Sequence, residues 1–195
     1  MTIEVRRVKT LSDDEKRQLF GWGTDVFGAR GLNLRLREPE YHIVVYDDGR
    51  AAAKMSVCRQ AVKVNVRWIG IHRWRPRRLA RWVYELVNRD VPSIMVGGGG
   101  GFVAPPTSGA PWYAAFAHRH AVKMVRDEWG LDFFLGFCLD RMVPNYERIH
   151  AQVIPGPVYI DQPAGKVRCP INTMVICLRK KPWPPGIVDI GGLPW

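Results

Sequence analysis

The chain has 195 residues, 47% of them hydrophobic, which suits one domain whose core needs no disulfides. A net charge of +11 favours an anionic partner and leaves open a nucleic acid, a phosphate-rich cofactor, an acidic carrier protein or a membrane surface. The opening MTIEVRRVKTLSDDEK lacks the apolar core of a signal peptide and no window nears 18 consecutive apolar residues, so neither secretion nor a membrane span is expected. Cys58, Cys138, Cys169 and Cys177 form no C-x-x-C pair and lie mostly in apolar runs, which predicts buried reduced thiols and a cytoplasmic protein.

In chain order, Ile3 to Val8 alternates as a half-buried strand does. Ser12-Asp13-Asp14-Glu15 then caps a helix expected to run to Phe27, with Gly28 and Gly31 ending it. Tyr41 to Tyr46 is a predicted strand, and Asp47-Asp48-Gly49-Arg50 is a hairpin turn into a strand from Ala51 to Arg59. A further strand is expected from Val62 to Ile71. Between Arg67 and Asp90 seven arginines face two acids, with three tryptophans alongside. After Pro76, the residues Leu79, Trp82, Val83, Leu86 and Val87 fall at helical spacing, so the segment reads as an amphipathic basic helix.

Val91 to Met95 is again a strand, followed by five glycines (Gly97 to Gly101), a short strand Phe102 to Ala104 and a turn to Pro111. The glycines permit close approach of a ligand or of another strand, and Ser108-Gly109-Ala110 can aim backbone N–H groups at a phosphate from a helix N-terminus. The alternative is a flexible glycine loop. A helix is expected from Trp112 to Trp129, closed by Gly130, and Leu131 to Leu139 is a continuous apolar run suited to a central strand. A short helix near Asn145 to Ile149, strands at Val158 to Ile160 and Met174 to Leu178, and a Pro-rich ending complete the chain. The order predicts an α+β domain over residues 1–195, its sheet antiparallel first and parallel around the central strand-turn-helix-strand unit.

YHIVVYDDGRAAAKMSVCRQAVKV, GGGGGFVAPP, RDEWGLDFFLGFCL, VPNYERI, IDQPAGK, MVICL and WPPGIVDIGGLPW together resemble the GNAT superfamily of CoA-dependent N-acyltransferases. GLDFFLGFCLDRMVPNYERI and the WPPG…GLPW tail resemble the branch with aminoglycoside 2'-N-acetyltransferases and nodulation N-acyltransferases. The resemblance implies a mixed, mainly antiparallel sheet flanked by helices, whose two central parallel strands, here Gly101 to Ala104 and Leu131 to Leu139, splay around an acyl-CoA thioester. It implies a transferase that moves an acetyl or other acyl group from acetyl-CoA, another acyl-CoA or an acidic acyl carrier protein to a small-molecule amine, as monomer or homodimer. No nucleic-acid partner is expected.

The sequence departs from the family in two places. The pyrophosphate motif Arg/Gln-x-x-Gly-x-Gly/Ala is represented by Ser108-Gly109-Ala110-Pro111-Trp112-Tyr113, where only Gly109 remains in register and Pro111 has no N–H to give. The basic helix within residues 73–90 stands where relatives have a short connection; a solvated face, a carrier-protein dock and an interfacial membrane helix all fit it. The alternative function is a degenerate GNAT-fold binding or regulatory module, or one with altered chemistry.

By that resemblance Tyr146 matches a tyrosine general acid, whose pKa of about 10 lets it protonate a departing thiolate. Its other reading is packing under the cofactor arm. Backbone N–H groups of Phe102, Val103 and Ala104 are the implied oxyanion donors, and Ser108, Gly109, Ala110, Trp112 and Tyr113 the implied cofactor contacts. Glu38, Glu40, Asp140 and a terminal carboxylate at Trp195 are candidate bases or acceptor contacts. His118 and His120 lie two apart on a helix and point to different faces, so no metal is expected there; Cys138 reads as a core thiol.

Overall fold

The capping box forms as expected: Glu15 N–H donates to Ser12 Oγ, and the Glu15 carboxylate accepts from the Ser12 N–H at 2.6 Å. It starts α1 (Asp13–Phe20), which follows β1 (Ile3–Val8). The computed structural model describes residues 2–20, 34–67, 77–103, 110–163 and 165–195. The expected continuation of α1 to Phe27, the strand end at Ile71, the start of the basic helix and the turn from Pro105 to Gly109 lie outside the described residues.

β2 (Tyr41–Asp47) and β3 (Arg50–Val64) form the expected hairpin, with Asp48 and Gly49 both at positive φ, as a two-residue turn of this kind requires. The sequence predicts two strands between Ala51 and Ile71, but β3 is unbroken to Val64. Arg59 to Lys63 stay extended because they pair with Gly97 to Ser93 of the next strand. α2 (Arg77–Val87) leads to β4 (Ser93–Val103), a single strand that contains the whole glycine run. The glycines are therefore sheet, not a loop between two strands.

α3 (Ala110–Lys123) ends in a π-helical turn, Met124–Glu128, and Gly130 closes it at φ +67. β5 (Phe133–Cys138) is the predicted central strand, and α4 (Val143–Glu147) begins slightly earlier than the sequence suggests. Then follow β6 (Gln152–Val153), β7 (Val158–Gln162), β8 (Gly165–Arg168), β9 (Asn172–Cys177) and β10 (Val188–Asp189). The last of these is hidden in the Pro-rich ending.

The strands make one mixed sheet in the order β6-β9-β5-β4-β3-β10-β7-β8, with β2 and β1 added beside β3. Only β4–β5 and β10–β7 are parallel among the described strands. Alternation divides its core in two. Ile43, Val45, Met55, Val57 and Phe134 meet Ala117, Ala121, Met124 and Val125 of α3 and its π turn on one face. Cys58, Val62, Val96, Phe133 and Leu135 meet Ile160, Val188, Ile190 and Trp195 on the other.

α2 turns Ala80 and Tyr84 inward, with Asn88 buried just after its end, while Leu79, Trp82 and Leu86 of its expected apolar face stay 50%, 59% and 49% exposed. Tyr84 OH donates to the buried Asp189 at 2.6 Å, and the Asn88 side chain clasps both the N–H and the carbonyl of Arg67. Polar ties, not the apolar stripe, dock this helix.

Candidate functional site

β4 and β5 pair in parallel through Gly97, Gly98 and Gly99 against Phe134, Leu135 and Gly136, and there the pairing stops. Among the described residues each strand continues with its outer neighbour only: β4 with β3 as far as Val103, β5 with β9 as far as Cys138. The two central strands therefore part. β4 is also bulged at this point, since Lys54 faces Val103 and Ser56 faces Gly100, which sets Gly101 and Phe102 against the single Met55. A bulge re-aims backbone N–H groups, and peptide groups on the facing edges of a strand gap have no ladder partner.

On the α3 face of the gap, α4 brings Tyr146 against Cys138 at the end of β5, with Ala151 and Met174 beside it. Burial, and then nearby Cys138, push the Tyr146 hydroxyl above its ordinary pKa, which keeps it protonated. Burial raises the Cys138 thiol to about 11, so it packs as a neutral core group.

On the opposite face Trp195 covers the seam. Its indole lies on Gly98 and its main-chain carbonyl on Gly100, where a Cβ at either glycine would overlap it. The indole N–H points to Leu135 O at 3.4 Å, a long contact, and the ring packs 5.2 Å from Phe137. Gly97 and Gly99, facing the other way, leave room for Val125 and Phe134. Glycine in this strand thus admits side chains from distant parts of the chain.

No family model matches the chain, and no curated protein matches it in sequence. Solved structures do match in shape. FeeM, an N-acyl amino acid synthase from uncultured soil microbes, superposes with TM-score 0.52 over 91% of this chain and 96% of its own, at 12% identity. YhbS, a GNAT family N-acetyltransferase from Escherichia coli solved with CoA, gives 0.52 over 96% and 89%, at 13% identity. A putative N-acetyltransferase from Lactobacillus plantarum gives 0.50 over 92% and 100%, at 10% identity. This chain has the GNAT fold.

The GNAT fold here separates the residues that the sequence groups together. Asp140 is exposed, accepts from Asn172 Nδ2 at 2.7 Å and lines a cleft of about 450 Å³ with Arg168, Cys169 and Thr173, a cleft that Trp195 does not line. Glu38 is exposed, but its segment runs beside Trp195, because Arg37 N–H donates to Pro194 O at 2.6 Å. Burial pushes the Glu40 carboxyl up, yet three hydrogen bonds from Arg59 outweigh it and hold the carboxyl below its usual range. Tyr113 ties α3 to β2 through a hydrogen bond to Asp47, while Trp112 is 71% exposed. Phe102 and Val103 lie on β4 and Ala110 opens α3; Ala104, Ser108 and Gly109 lie outside the described residues.

Two features of this GNAT-fold chain escape the sequence reading. Lys54 is only 6% exposed and lies on the Trp195 face, its Nζ 2.8 Å from Ser56 Oγ, which in turn is 3.2 Å from His42 Nδ1. The signal was available: AAAKMSVC carries one lysine in an apolar strand, two positions from a serine. His118 turns inward, edge-on to Phe134 at 5.7 Å, and its Nε2 is buried with no partner among the described residues. His120 stays exposed, so the HRH pair does point two ways.

Proposed function

We propose that the chain is an N-acyltransferase that passes an acetyl or other acyl group from a CoA thioester, or from an acidic acyl carrier protein, to a small-molecule amine by direct attack. The observation that carries this is the parting of β4 and β5 beyond Gly99 and Gly136, with a bulge in β4 and Tyr146 beside the end of β5. A thioester carbonyl in that gap accepts hydrogen bonds from backbone N–H groups of Phe102, Val103 and Ala104, the proposed donors, where charge develops as the amine attacks. The amine nitrogen bonds to the carbonyl carbon and gives up its proton to a base, for which Glu38, Glu40, Asp140 and a terminal carboxylate at Trp195 are the candidates, while the C–S bond breaks and the Tyr146 hydroxyl supplies the proton to the leaving thiolate. Ser108, Gly109, Ala110, Trp112 and Tyr113 are the proposed donor-binding residues, and Glu38, Asp140 and Trp195 the proposed acceptor contacts. The names of the similar structures, an N-acyl amino acid synthase and an N-acetyltransferase solved with CoA, support nitrogen as the acceptor atom.

A specific observation favours a second reading, a GNAT-fold binding or regulatory module. Pro111 sits in the first turn of α3 and removes a phosphate-facing N–H from it. Calorimetric titration with CoA, acetyl-CoA and a long-chain acyl-CoA, paired with thiol release in the presence of amines, separates the readings. We expect heat with at least one acyl-CoA and amine-dependent thiol release. Absence of heat, thermal shift and transfer from both CoA and carrier thioesters overturns the acyltransferase reading.

A further inference from the structure

The Lys54 cluster has no part in the chemistry above, and its position gives it one. From Lys54 onward the even-numbered residues of β3 share a face, so Lys54, Ser56 and Cys58 lie on the same side of the sheet as Trp195, opposite the face that holds Tyr146. Lys54 stands across from Val103, beyond the bulge, and Ser56 across from Gly100, so both residues sit on the strand next to β4, one strand away from the gap. His42 faces Ser56 from β2, and the Phe20 ring of α1 lies 5.4 Å from Lys54 Nζ.

A buried ammonium is costly unless an anion compensates it, and no carboxylate among the described residues lies within ion-pair distance of Lys54. Desolvation lowers its pKa to about 8, which still leaves it mostly charged at neutral pH. Three N–H groups are then on offer and Ser56 Oγ takes one. The cluster also has a direction. Burial, and then the charge of Lys54, lower His42 to about 4, so its ring is neutral and Nδ1 can accept from Ser56 while Ser56 accepts from Lys54. In that chain of bonds lysine is the donor end, which suits holding an anion and not removing a proton.

We propose that Lys54, steadied by Ser56 and His42, anchors a carboxylate of the acyl acceptor, so that the acceptor is an amino acid or a similarly small amino carboxylate. This rests on the acyltransferase reading. An α-amino acid carries its nucleophilic nitrogen within a few bonds of its carboxylate, so holding one end on Lys54 keeps the other near the gap between β4 and β5. The donor approaches from the Tyr146 face and the acceptor from the Lys54 face.

The test compares matched acceptors with and without the carboxylate, phenylalanine against phenethylamine and tyrosine against tyramine, by thiol release from an acyl-CoA. The native protein should prefer the amino acid by tenfold or more in kcat/KM. Lys54→Met should raise the KM for the amino acid at least tenfold and abolish the preference; Lys54→Arg should restore part of it. Equal use of both acceptors by the native protein, or an intact preference in Lys54→Met, overturns the proposal. Should no amine accept an acyl group, titration of phenylalanine and tyrosine by calorimetry decides it separately: binding lost in Lys54→Met and kept in Lys54→Arg sustains the anchor, and no binding to the native protein sinks it. Circular dichroism checks the variants for folding, and Ser56→Ala, which keeps the charge, should weaken amino-acid binding less than Lys54→Met.

Discussion

The indole of Trp195 rests on the backbone of Gly98, 97 residues earlier in the chain, and no side chain larger than hydrogen fits between them. Gly98→Ala therefore forces either the indole or the strand to move. Overpacking of this kind costs roughly 1–3 kcal/mol. The expected outcome is a lowered midpoint of denaturant unfolding. The cost should shrink by about 1 kcal/mol or more in a Trp195→Leu background, as residues in contact are coupled. Additive effects of the two substitutions count against the packing described.

Tyr146→Phe keeps the ring packed against Cys138 and Met174 and removes only the hydroxyl. If the hydroxyl serves as the acid, turnover falls by about 10²- to 10⁴-fold while donor affinity stays close to native. Because burial raises the Tyr146 pKa, the alkaline limb of the native pH profile should lie above the ordinary tyrosine range and vanish in the variant. Parallel losses in turnover and in CoA affinity measured by calorimetry would instead mark Tyr146 as a binding residue.

Acid should weaken the fold through two histidines. Burial lowers His118 to about 4, and burial with the charge of Lys54 lowers His42 to about 4, against 6.5 for an unconstrained imidazole. Between these values the unfolded chain binds more protons than the folded one, so stability is full above about pH 6.5 and falls as pH drops towards 4. His118→Leu removes a buried group whose Nε2 has no described partner, and it should flatten this slope. Urea melts across pH 4 to 7 read the effect; an unchanged slope contradicts it.

Tyr84→Phe takes away the hydroxyl that donates to Asp189, leaving that buried carboxylate with Lys166 and the Gly191 N–H. Loss of a hydrogen bond to a charged group costs about 1–3 kcal/mol. Because α2 is held to the sheet by this bond and by Asn88, hydrogen exchange over Arg77–Val87 should quicken more than exchange in β4 or β5. Equal changes in all three elements argue that the tie is not local.

Much of the frame was legible in the sequence because its signals are local. The Ser12–Glu15 capping box, the Asp48-Gly49 turn and the apolar run LDFFLGFCL each act through residues a few positions apart; the cap and the turn appear where expected, and the run holds the strand Phe133–Cys138. The parting of the central strands followed from the resemblance, and the structure realises it at Gly99 and Gly136. Other features depend on partners that the local sequence does not name. β10 is two residues long and exists because β3 and β7 supply its hydrogen bonds. α2 presents an apolar stripe that its own periodicity assigns to a core, yet Tyr84 and Asn88 decide which side faces inward.

By itself, then, the sequence determined the hairpin, the helix cap and the α+β class, since turn and cap energetics are settled within a few residues. Only the tertiary structure decided what the glycines are for and where the charge goes. A glycine's role is set by whatever approaches its missing Cβ, here Trp195, Val125 and Phe134 from remote segments. Lys54 became a candidate anchor only when strand pairing set it beside Ser56 and His42, because burial with no carboxylate partner among the described residues is a property of the assembled sheet and not of AAAKMSVC.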